Sequence, residues 1–560
     1  MNRILCLFAV ATLLSAQVNF DRIRNAAKEP ESWFTYSGNY SAHRFSPLSE
    51  IVPGNVERLK VAWIYQVPSQ HRVETTPLVA DSVMYISEPP SNLTALDLHT
   101  GRTLWTYRRR TGDDMRVCCG QVNRGVALLG DLVYIGTVDA YLVALDARTG
   151  IRRWETKVAE YTTGHSVTAA PLAVKDKIVV GIAGGEYGIR GFLDAYDALT
   201  GKLAWRVWTI PGSGEPGNDS WSGESWKTGG APTWVTGAYD PDLNLIYWGT
   251  GNPGPDWNGD VRKGDNLYSD SVLAIDADTG KLKWHFQFTP HDIHDWDANQ
   301  VPVLVDGEIR GERRKLLITA NRNAFFYALD RATGQFLLGK PYVKQTWASG
   351  LDDRGRPIRL PNTTPTIEGT RVWPAAGGGT NWFSPSYSPK SDLFYVAIRE
   401  SSAMFHIGEA DYRAGVPFYG GMSRTLDTPE NFGAIRALRP TTGDTVWEYR
   451  LLSSTGAGVL STAGGLVFGA TEGTFFALDA ATGKRLGGSK RVVQSAVIRS
   501  VTRSAASSTS QSRPDTTSSR SQSTDGHALI LCPIRPFGPG QITVTTFPAA
   551  ASHVYAATTL

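Results

Sequence analysis

The 560-residue sequence is poor in cysteine, and no segment after its first 16 residues is apolar enough to cross a membrane. Only four cysteines occur: Cys6, the adjacent pair Cys118 and Cys119, and Cys532. So few cysteines do not make a disulfide framework, and the lack of a CxxCH motif excludes a c-type haem attached to this chain. The formal net charge of +3 is too small to indicate a nucleic-acid or acidic-membrane partner.

Glycine and aromatic residues are abundant instead, with 57 Gly, 17 Trp and 21 Tyr, which is typical of a large, turn-rich β protein. The first residues have a charged start at Arg3, an apolar core from Ile4 to Leu14 and small residues at Ser15 and Ala16. This pattern predicts a secretory signal peptide over residues 1–16 and a soluble periplasmic protein. A membrane anchor is the alternative, but the apolar run is too short to span a bilayer.

The phrase A-x-D-x-x-T-G-x-x-x-W recurs along the chain and indicates a repeat fold. The Asp and Thr side chains can hydrogen-bond the backbone of a tight turn, and the glycine takes a positive φ. The closing tryptophan offers a flat surface to the neighbouring sheet. Intervals of 42, 49, 51 and 54 residues suit one four-stranded blade per repeat. The copies end at Trp63, Trp105, Trp154, Trp205, Trp284, Leu338, Trp447 and Gly487.

Eight copies predict an all-β fold, an eight-bladed β-propeller with insertions, whose repeat tryptophans dock blades and bind no ligand. The pattern breaks after residue 486, where Gly487 replaces the closing tryptophan and no aromatic residue occurs between Phe476 and Phe537. The Ser-, Thr- and Arg-rich composition there is typical of disorder. We therefore predict a propeller domain over 17–486, a divergent tail over 487–560 and an incomplete last blade. A frameshift near residue 487 is our hypothesis for this break, and a genuine low-complexity tail is the alternative.

Several ordered islands between residues 33 and 486 resemble the PQQ-dependent (quinoprotein) alcohol dehydrogenases, and in particular their lanthanide-type members. The islands are VETTPLV, VCCGQVNRG, SVTAAP, GGEYGIRG, GGAPTW, YWGTGNPGP, TPHDIHDWDAN and NRNAFFYALDRATG. This resemblance implies oxidation of a small alcohol to an aldehyde by hydride transfer to metal-bound pyrroloquinoline quinone (PQQ). It also implies a separate soluble cytochrome c as electron acceptor, and it allows a homodimer.

The resemblance assigns the cofactor site residue by residue. It implies a disulfide between Cys118 and Cys119 on one face of PQQ and Trp234 on the other. Without the other islands, the cysteines would be two buried thiols and Trp234 a core residue. Ala183 stands where the family usually has a serine, which puts one hydrogen bond to the cofactor in doubt. Further contacts to PQQ are implied for Glu74, Arg124, Thr168, Gly184, Gly185, Arg322 and Asn381.

The stretch HDIHDWD, residues 291–297, carries the metal and the base in this resemblance. Glu186, Asn252 and Asp295 are implied as oxygen ligands of a hard cation, Asp295 also as the catalytic base, and Arg322 as the group that polarises the C5 quinone oxygen. Asp297 lies two positions after Asp295, on the same side of an extended loop. In the family that this chain resembles, an aspartate at this position implies a lanthanide, where calcium forms usually carry a small residue. Its charge also favours a trivalent ion, so we predict a lanthanide rather than Ca²⁺; alternatively, Asp297 caps a turn.

His291 and His294 could bind a transition metal, but imidazole suits an oxygen-only cation site poorly. We therefore expect both to hydrogen-bond within the loop. Two other functions stay open on the sequence: a non-enzymatic envelope propeller scaffold, and a dehydrogenase homologue inactivated by its tail. The scaffold gives no reason to keep Glu186, Asn252 and Asp295 together.

Overall fold

The computed structural model describes residues 18–490, except 70, 113, 452–455 and 472–473, and three strands within residues 530–559. The predicted signal peptide lies outside the described residues. The α-helix Phe20–Arg24 begins after Asn19, whose side chain accepts a hydrogen bond from the Arg22 amide. The 3₁₀ turns are Ala26–Lys28, Val56–Arg58, Tyr161–Thr163, Gly185–Tyr187, Asn218–Ser220, Ser225–Thr228 and Gly259–Arg262.

Almost all other regular structure is β, arranged as the predicted eight-bladed propeller. The first four blades contain Leu78–Ala80, Val83–Glu88, Asn92–Asp97 and Thr103–Tyr107; Val126–Leu129, Leu132–Gly136, Tyr141–Asp146 and Arg152–Lys157; Leu172–Val174, Lys177–Gly181, Phe192–Asp197 and Leu203–Trp208; Ala238–Asp240, Leu245–Gly249, Ser271–Asp276 and Leu282–Gln287. The next three contain Val303–Ile309, Glu312–Ala320, Phe325–Asp330 and Phe336–Pro341; Ser386–Ser388, Leu393–Glu400, Phe432–Leu438 and Thr445–Leu451; Leu460–Thr462, Leu466–Thr471, Thr474–Asp479 and Arg485–Lys490, with Phe45–Ser46 parallel to Leu460–Thr462.

The last blade differs from the sequence-based expectation, because it is not incomplete. Lys60–Val67 pairs antiparallel with His553–Thr559, which continues through Gln541–Thr546 to Ile530–Cys532. The sequences QITVTT and HVYAATT are rich in β-branched residues, which favour strands. The Ser- and Thr-rich composition that precedes them hid this signal. The pairing of an N-terminal strand with C-terminal strands joins the first and last parts of the chain in one blade.

The repeat tryptophans dock blades as predicted. Trp105 donates from Nε1 to the Ala147 carbonyl at 3.1 Å, and its ring covers Gly150 of the next repeat. Gly150 has φ +72°, and a Cβ there would lie 2.5 Å from the indole ring, so no other residue fits. Trp63, Trp154, Trp205 and Trp447 make the equivalent hydrogen bonds at 3.1–3.2 Å. The DxxTG glycine is thus required both by its turn and by the neighbouring ring.

Replacing Trp105 by alanine is expected to lower the free energy of unfolding by about 3 kcal/mol, because it removes an interblade ring and leaves a cavity. Urea denaturation followed by circular dichroism measures this change. The matched control is Leu199→Ala, since Leu199 is 79% exposed and its replacement should change stability by less than about 0.5 kcal/mol. Equal losses in the two variants would contradict the docking role.

Insertions between blade strands hold the remaining structure. Ala348–Leu351 pairs with Pro357–Arg359, and Thr370–Val372, Ala403–Ile407 and Gly421–Thr425 form a three-stranded sheet. No helix in the described part of the chain is long and apolar enough to cross a membrane.

Candidate active site

The predicted site residues converge because of where they stand in each blade. Six precede the first strand of successive blades, and three follow the second strand of a blade. Since first and second strands are antiparallel, the start of one and the end of the other lie at the same end of the propeller. The first set is Glu74, Arg124, Thr168, Trp234, Asp297 and Asn381, and the second set is Glu186, Asn252 and Arg322.

Arg124 is the centre of the first group. Its Nη2 lies 2.6 Å from the Glu74 carboxylate, and its Nη1 donates to Thr168 Oγ1 at 3.0 Å. The guanidinium lies 4.7 Å from the ring centre of Trp234 and 5.1 Å from that of Trp382. Its Nε–H is buried and has no acceptor among the described residues. A buried donor of this kind suits a ligand that brings its own carboxylates.

Trp234 is fixed by a residue that the sequence did not single out. The side-chain amide of Asn299 is oriented so that its oxygen faces donors and its nitrogen faces an acceptor. Its oxygen accepts from Trp234 Nε1 at 3.0 Å and from the Gly251 amide at 2.9 Å. The same side chain then donates to the Gly249 carbonyl at 2.8 Å. The indole plane is therefore held by its polar edge, with the Arg124 guanidinium over the ring.

The Gly184–Gly185 turn and the cysteine pair lie beside Glu186. Gly184 has φ +123°, and a Cβ there would lie 2.2 Å from the Gly164 carbonyl oxygen, so this backbone approach requires glycine. Cys118 and Cys119 are joined by a disulfide, as the resemblance implied. The two sulfurs and a Glu186 carboxylate oxygen lie within 4.8 Å of one another.

The stretch at 291–297 is a buried, folded loop rather than a solvated turn. Asp292 accepts from the amides of His294 and Trp296 at 3.0 and 2.7 Å, and the Trp296 ring is fully buried. Asp295 has φ +61°, so the loop is not the extended segment that we expected. Asp295 and Asp297 nevertheless share one side, because both meet the same arginine.

The two histidines make hydrogen bonds, as predicted, but with carbonyls outside the 291–297 loop. His291 Nδ1 lies 2.9 Å from the Gly264 carbonyl, and His294 Nε2 lies 2.8 Å from the Thr363 carbonyl. Burial lowers the pKa of His291 to about 4 and that of His294 to about 3. Both rings are therefore neutral at pH 7, and neither carries charge into the site.

Arg322 binds both aspartates of this loop. Its Nη1 contacts Asp297 Oδ2, and its Nη2 lies 3.5 Å from Asp295 Oδ2. Nη2 also donates to the carbonyls of Asp295 and Ala376. The Arg322 Nε–H, like that of Arg124, is buried without an acceptor among the described residues. Asn381 lies nearby, on the loop whose Gly378 packs against the Arg322 side chain.

Asn252 joins the Asp297 loop to Asp256. Its backbone amide donates to Asp297 Oδ1 at 3.0 Å, and its side-chain Nδ2 donates to Asp256 Oδ1 at 2.9 Å. Asp256 is 2% exposed and was not predicted as a site residue. Its place four residues after Asn252, in the same GNPGPD turn, was the available signal.

Arg262 is a second residue that the sequence analysis missed. Its guanidinium is fully buried and donates to the Pro255 carbonyl from Nε at 3.1 Å and from Nη2 at 2.9 Å. Nη2 also donates to the Asp292 carbonyl, and Nη1 to Asn266 Oδ1 at 2.8 Å. Burial lowers the Arg262 pKa to about 10. Arg262 thus joins the Asn252–Asp256 turn to the 291–297 loop.

Replacing Arg262 by methionine is expected to lower the free energy of unfolding by at least about 2 kcal/mol, because two buried carbonyls lose their donors. Thermal unfolding under equal buffer conditions measures the difference. Lys263→Met is the matched control, because Lys263 is an exposed cation one residue further along, and its loss should be close to neutral. An Arg262→Met protein as stable as the control variant would contradict the joining role.

Burial and mutual repulsion dominate the electrostatics of the carboxylates. Burial raises the pKa of Glu186 to about 7, and Asp297 adds to this rise. Burial also raises the pKa of Asp256 and of Asp295 well above the ordinary value; Glu186 adds to both shifts, and Arg322 opposes the one on Asp295. Four carboxylates so placed favour a bound cation, since positive charge offsets both effects.

The structure does not bring the whole predicted ligand set into a single metal-sized cluster. Among the described residues, the three His, Cys, Asp or Glu donors that come within 4.8 Å are Cys118, Cys119 and Glu186. Asp295 and Asp297 instead pair with Arg322, which supplies the positive charge beside them. The donors still suit a hard cation, because the predicted set offers only carboxylate and amide oxygens.

Two family models match parts of this chain. Residues 33–341 match the family model described as the β-propeller domain of glucose, ethanol and alcohol dehydrogenases. Residues 366–521 match the model of the outer membrane protein assembly factor BamB. The first match contains every predicted site residue except Asn381.

Similar individual proteins cover most of the chain. The quinoprotein alcohol dehydrogenase PedH of Pseudomonas putida is 39% identical over 86% of this chain and 87% of its own length. The lanthanide-dependent methanol dehydrogenase of Methylacidiphilum fumariolicum is 35% identical over 85% of this chain and 83% of its own. The solved structure of a europium-containing methanol dehydrogenase is 30% identical, with a TM-score of 0.85 over 96% of this chain and 100% of its own. By its sequence, its propeller and the residues gathered at one end of it, this chain belongs to the quinoprotein alcohol dehydrogenase family.

Proposed function

We propose that this protein oxidises a small alcohol to an aldehyde with bound PQQ and one metal ion. One observation supports the proposal most strongly. Buried arginines that still have an unused N–H donor lie next to buried carboxylates at one end of the propeller. Arg124 and Arg322 each hold an Nε–H without an acceptor among the described residues. PQQ, with three carboxylates and quinone oxygens, offers acceptors of the kind that these donors lack.

The residues that would hold PQQ form two faces and an edge. The Cys118–Cys119 disulfide supplies one face and Trp234 the other. Glycines at 184 and 185 let the backbone approach closely, and other contacts come from Glu74, Arg124, Thr168, Arg322 and Asn381. When bound, PQQ supplies the quinone that accepts a hydride from the alcohol carbon.

Asp295 is the proposed base, and Arg322 the proposed polarising group. Asp295 Oδ2 would take the proton of the substrate hydroxyl, and Arg322 lies 3.5 Å from that oxygen, so it can stabilise the ionised carboxylate before the transfer. General-base catalysis by a positioned carboxylate is worth about 10²–10⁴-fold in rate. A guanidinium beside the quinone would stabilise negative charge as it develops there.

Glu186, Asn252, Asp295 and Asp297 are the proposed metal ligands. Their oxygens suit Ca²⁺ or a lanthanide, and the additional carboxylate of Asp297 favours the trivalent ion by Coulomb attraction. We therefore propose a lanthanide as the preferred ion and Ca²⁺ as the alternative. The similarity to proteins named as lanthanide-dependent and europium-containing supports this preference.

We further propose that residues 1–16 direct export to the periplasm and that a soluble cytochrome c accepts the electrons there. The frameshift hypothesis for the tail remains a proposal as well, and so does a domain division at 486, although strands on both sides of it belong to blades. Sequencing the gene again and translating the other frames near codon 487 tests the frameshift, which fails if no aromatic-rich strand sequence is found.

The cofactor proposal is tested by titrating PQQ into the purified full-length protein with La³⁺ or Ca²⁺ present. Tryptophan fluorescence should be quenched with a stoichiometry of about one PQQ per chain, since Trp234 would lie against the bound ring. Chelation of the metal should release PQQ. Absence of saturable quenching with either ion would contradict the proposal.

A further inference from the structure

Asp256 lies beside the proposed metal ligands, but it has no role in the proposed reaction. It is 2% exposed, yet the hydrogen bond from Asn252 Nδ2 at 2.9 Å is its one direct side-chain contact among the described residues. Asp256 and the other acids interact electrostatically, and Glu186 and Asp297 act on it most strongly. Burying an acid next to other acids raises the free energy of the folded protein. Such unfavourable burial is found most often at functional sites.

The hydrogen bond determines which end of the Asn252 amide is available. Nδ2 donates to Asp256 Oδ1 and, more weakly, to the Pro253 carbonyl at 3.4 Å. The flipped amide would set its oxygen against the Pro253 carbonyl and the Asp256 oxygen, so the two contacts favour this orientation. The Asn252 oxygen therefore faces away from Asp256 and stays free to coordinate a cation, whose ligands must be oxygens.

Charge gives Asp256 a second effect. Asp256 adds a carboxylate to Glu186, Asp295 and Asp297, the last two of which contact Arg322. The buried guanidinium of Arg262 also acts on Asp256. Each additional carboxylate attracts a trivalent ion more strongly than a divalent one, because Coulomb energy scales with the charge of the ion.

We propose that Asp256 is a positioning and selectivity residue of the metal site: it fixes the Asn252 amide with its oxygen outward, and its charge favours a trivalent cation over a divalent one. The inference rests on the proposed metal site. It adds a residue outside the ligand set, four positions along the chain from Asn252 and joined to it by a side-chain hydrogen bond.

The test measures ion affinity rather than turnover. Tb³⁺ and, separately, Ca²⁺ are titrated into full-length protein supplied with PQQ, with tryptophan-sensitised Tb³⁺ luminescence and calorimetry as readouts. Asp256→Asn retains an acceptor for Asn252 Nδ2 but removes the charge. Coulomb energy scales with ion charge, so the loss of this carboxylate should weaken Tb³⁺ binding more than Ca²⁺ binding. In Asp256→Asn we expect Kd to rise by about 30-fold for Tb³⁺ and by about tenfold for Ca²⁺. Asp260→Asn, at an exposed aspartate of the next turn, should change neither Kd.

Asp256→Ala removes the acceptor as well as the charge, so it should weaken both ions further than Asp256→Asn does. Unchanged Tb³⁺ affinity in Asp256→Asn, or equal losses for the two ions, would overturn the selectivity role. Equal behaviour of the Asn and Ala variants would overturn the positioning role. A wild-type protein that binds neither ion would instead overturn the metal site of the proposed function, and this inference with it.

Discussion

Replacing Asp295 by asparagine is expected to lower kcat for alcohol oxidation by about 10²–10⁴-fold, because the amide cannot take the hydroxyl proton. The Asn side chain keeps the size and one oxygen donor of Asp295. Its loop should keep its shape, since the Asp292 bonds to the His294 and Trp296 amides are untouched. Dye-coupled assays of the protein reconstituted with PQQ and La³⁺ measure kcat and KM separately.

Two controls separate loss of the base from loss of the site. The PQQ content of Asp295→Asn should remain near that of the wild type, and Asp353→Asn, at an exposed aspartate, should retain full activity. If Asp295→Asn loses PQQ in proportion to its activity, Asp295 acts as a ligand and not as the base. A variant with kcat within about threefold of the wild type would rule out both roles.

Replacing Asp297 by alanine is expected to lower activity with La³⁺ by about 100-fold or more, and activity with Ca²⁺ by about 20-fold, because the Coulomb energy scales with ion charge. The carboxylate contributes negative charge next to the ion, and that contribution is larger for a trivalent ion. Its removal also frees the Asn252 amide and one Arg322 nitrogen. The measurement is the ratio of kcat/KM with the two ions.

Asp297→Asn is the matched variant, because it keeps the volume and an acceptor for the Asn252 amide. If charge is what matters, both variants lose the preference for La³⁺. Should Asp297→Asn retain that preference, the side chain acts by shape, as a turn cap would. An unchanged ratio in both variants would contradict the proposed lanthanide role altogether.

The fold was largely predictable because its determinant is local and repeated. Each DxxTG turn bonds to itself, as when Asp97 accepts from the Thr100 amide at 2.8 Å, and each closing tryptophan covers the next turn. Neither interaction depends on a distant part of the sequence. The pairing of Lys60–Val67 with His553–Thr559 joins segments almost 500 residues apart, which no local pattern could indicate.

The site was predictable only as far as the motif islands reach. Asp295, Asp297 and Arg322 stand in quoted motifs, and the structure brings them into contact. Arg262 lies outside the quoted motifs and Asn299 ends one of them, but both act through hydrogen bonds to other loops. Residue type does not reveal such bonds, because an arginine in a loop is usually solvated.

The most direct test of the central claim is alcohol-dependent dye reduction by the full-length protein, reconstituted with PQQ and either La³⁺ or Ca²⁺. We predict turnover of ethanol or another short alcohol. This turnover should require both PQQ and a metal ion, and it should be faster with La³⁺ than with Ca²⁺. No turnover of any short alcohol by protein that has bound PQQ and metal would contradict it.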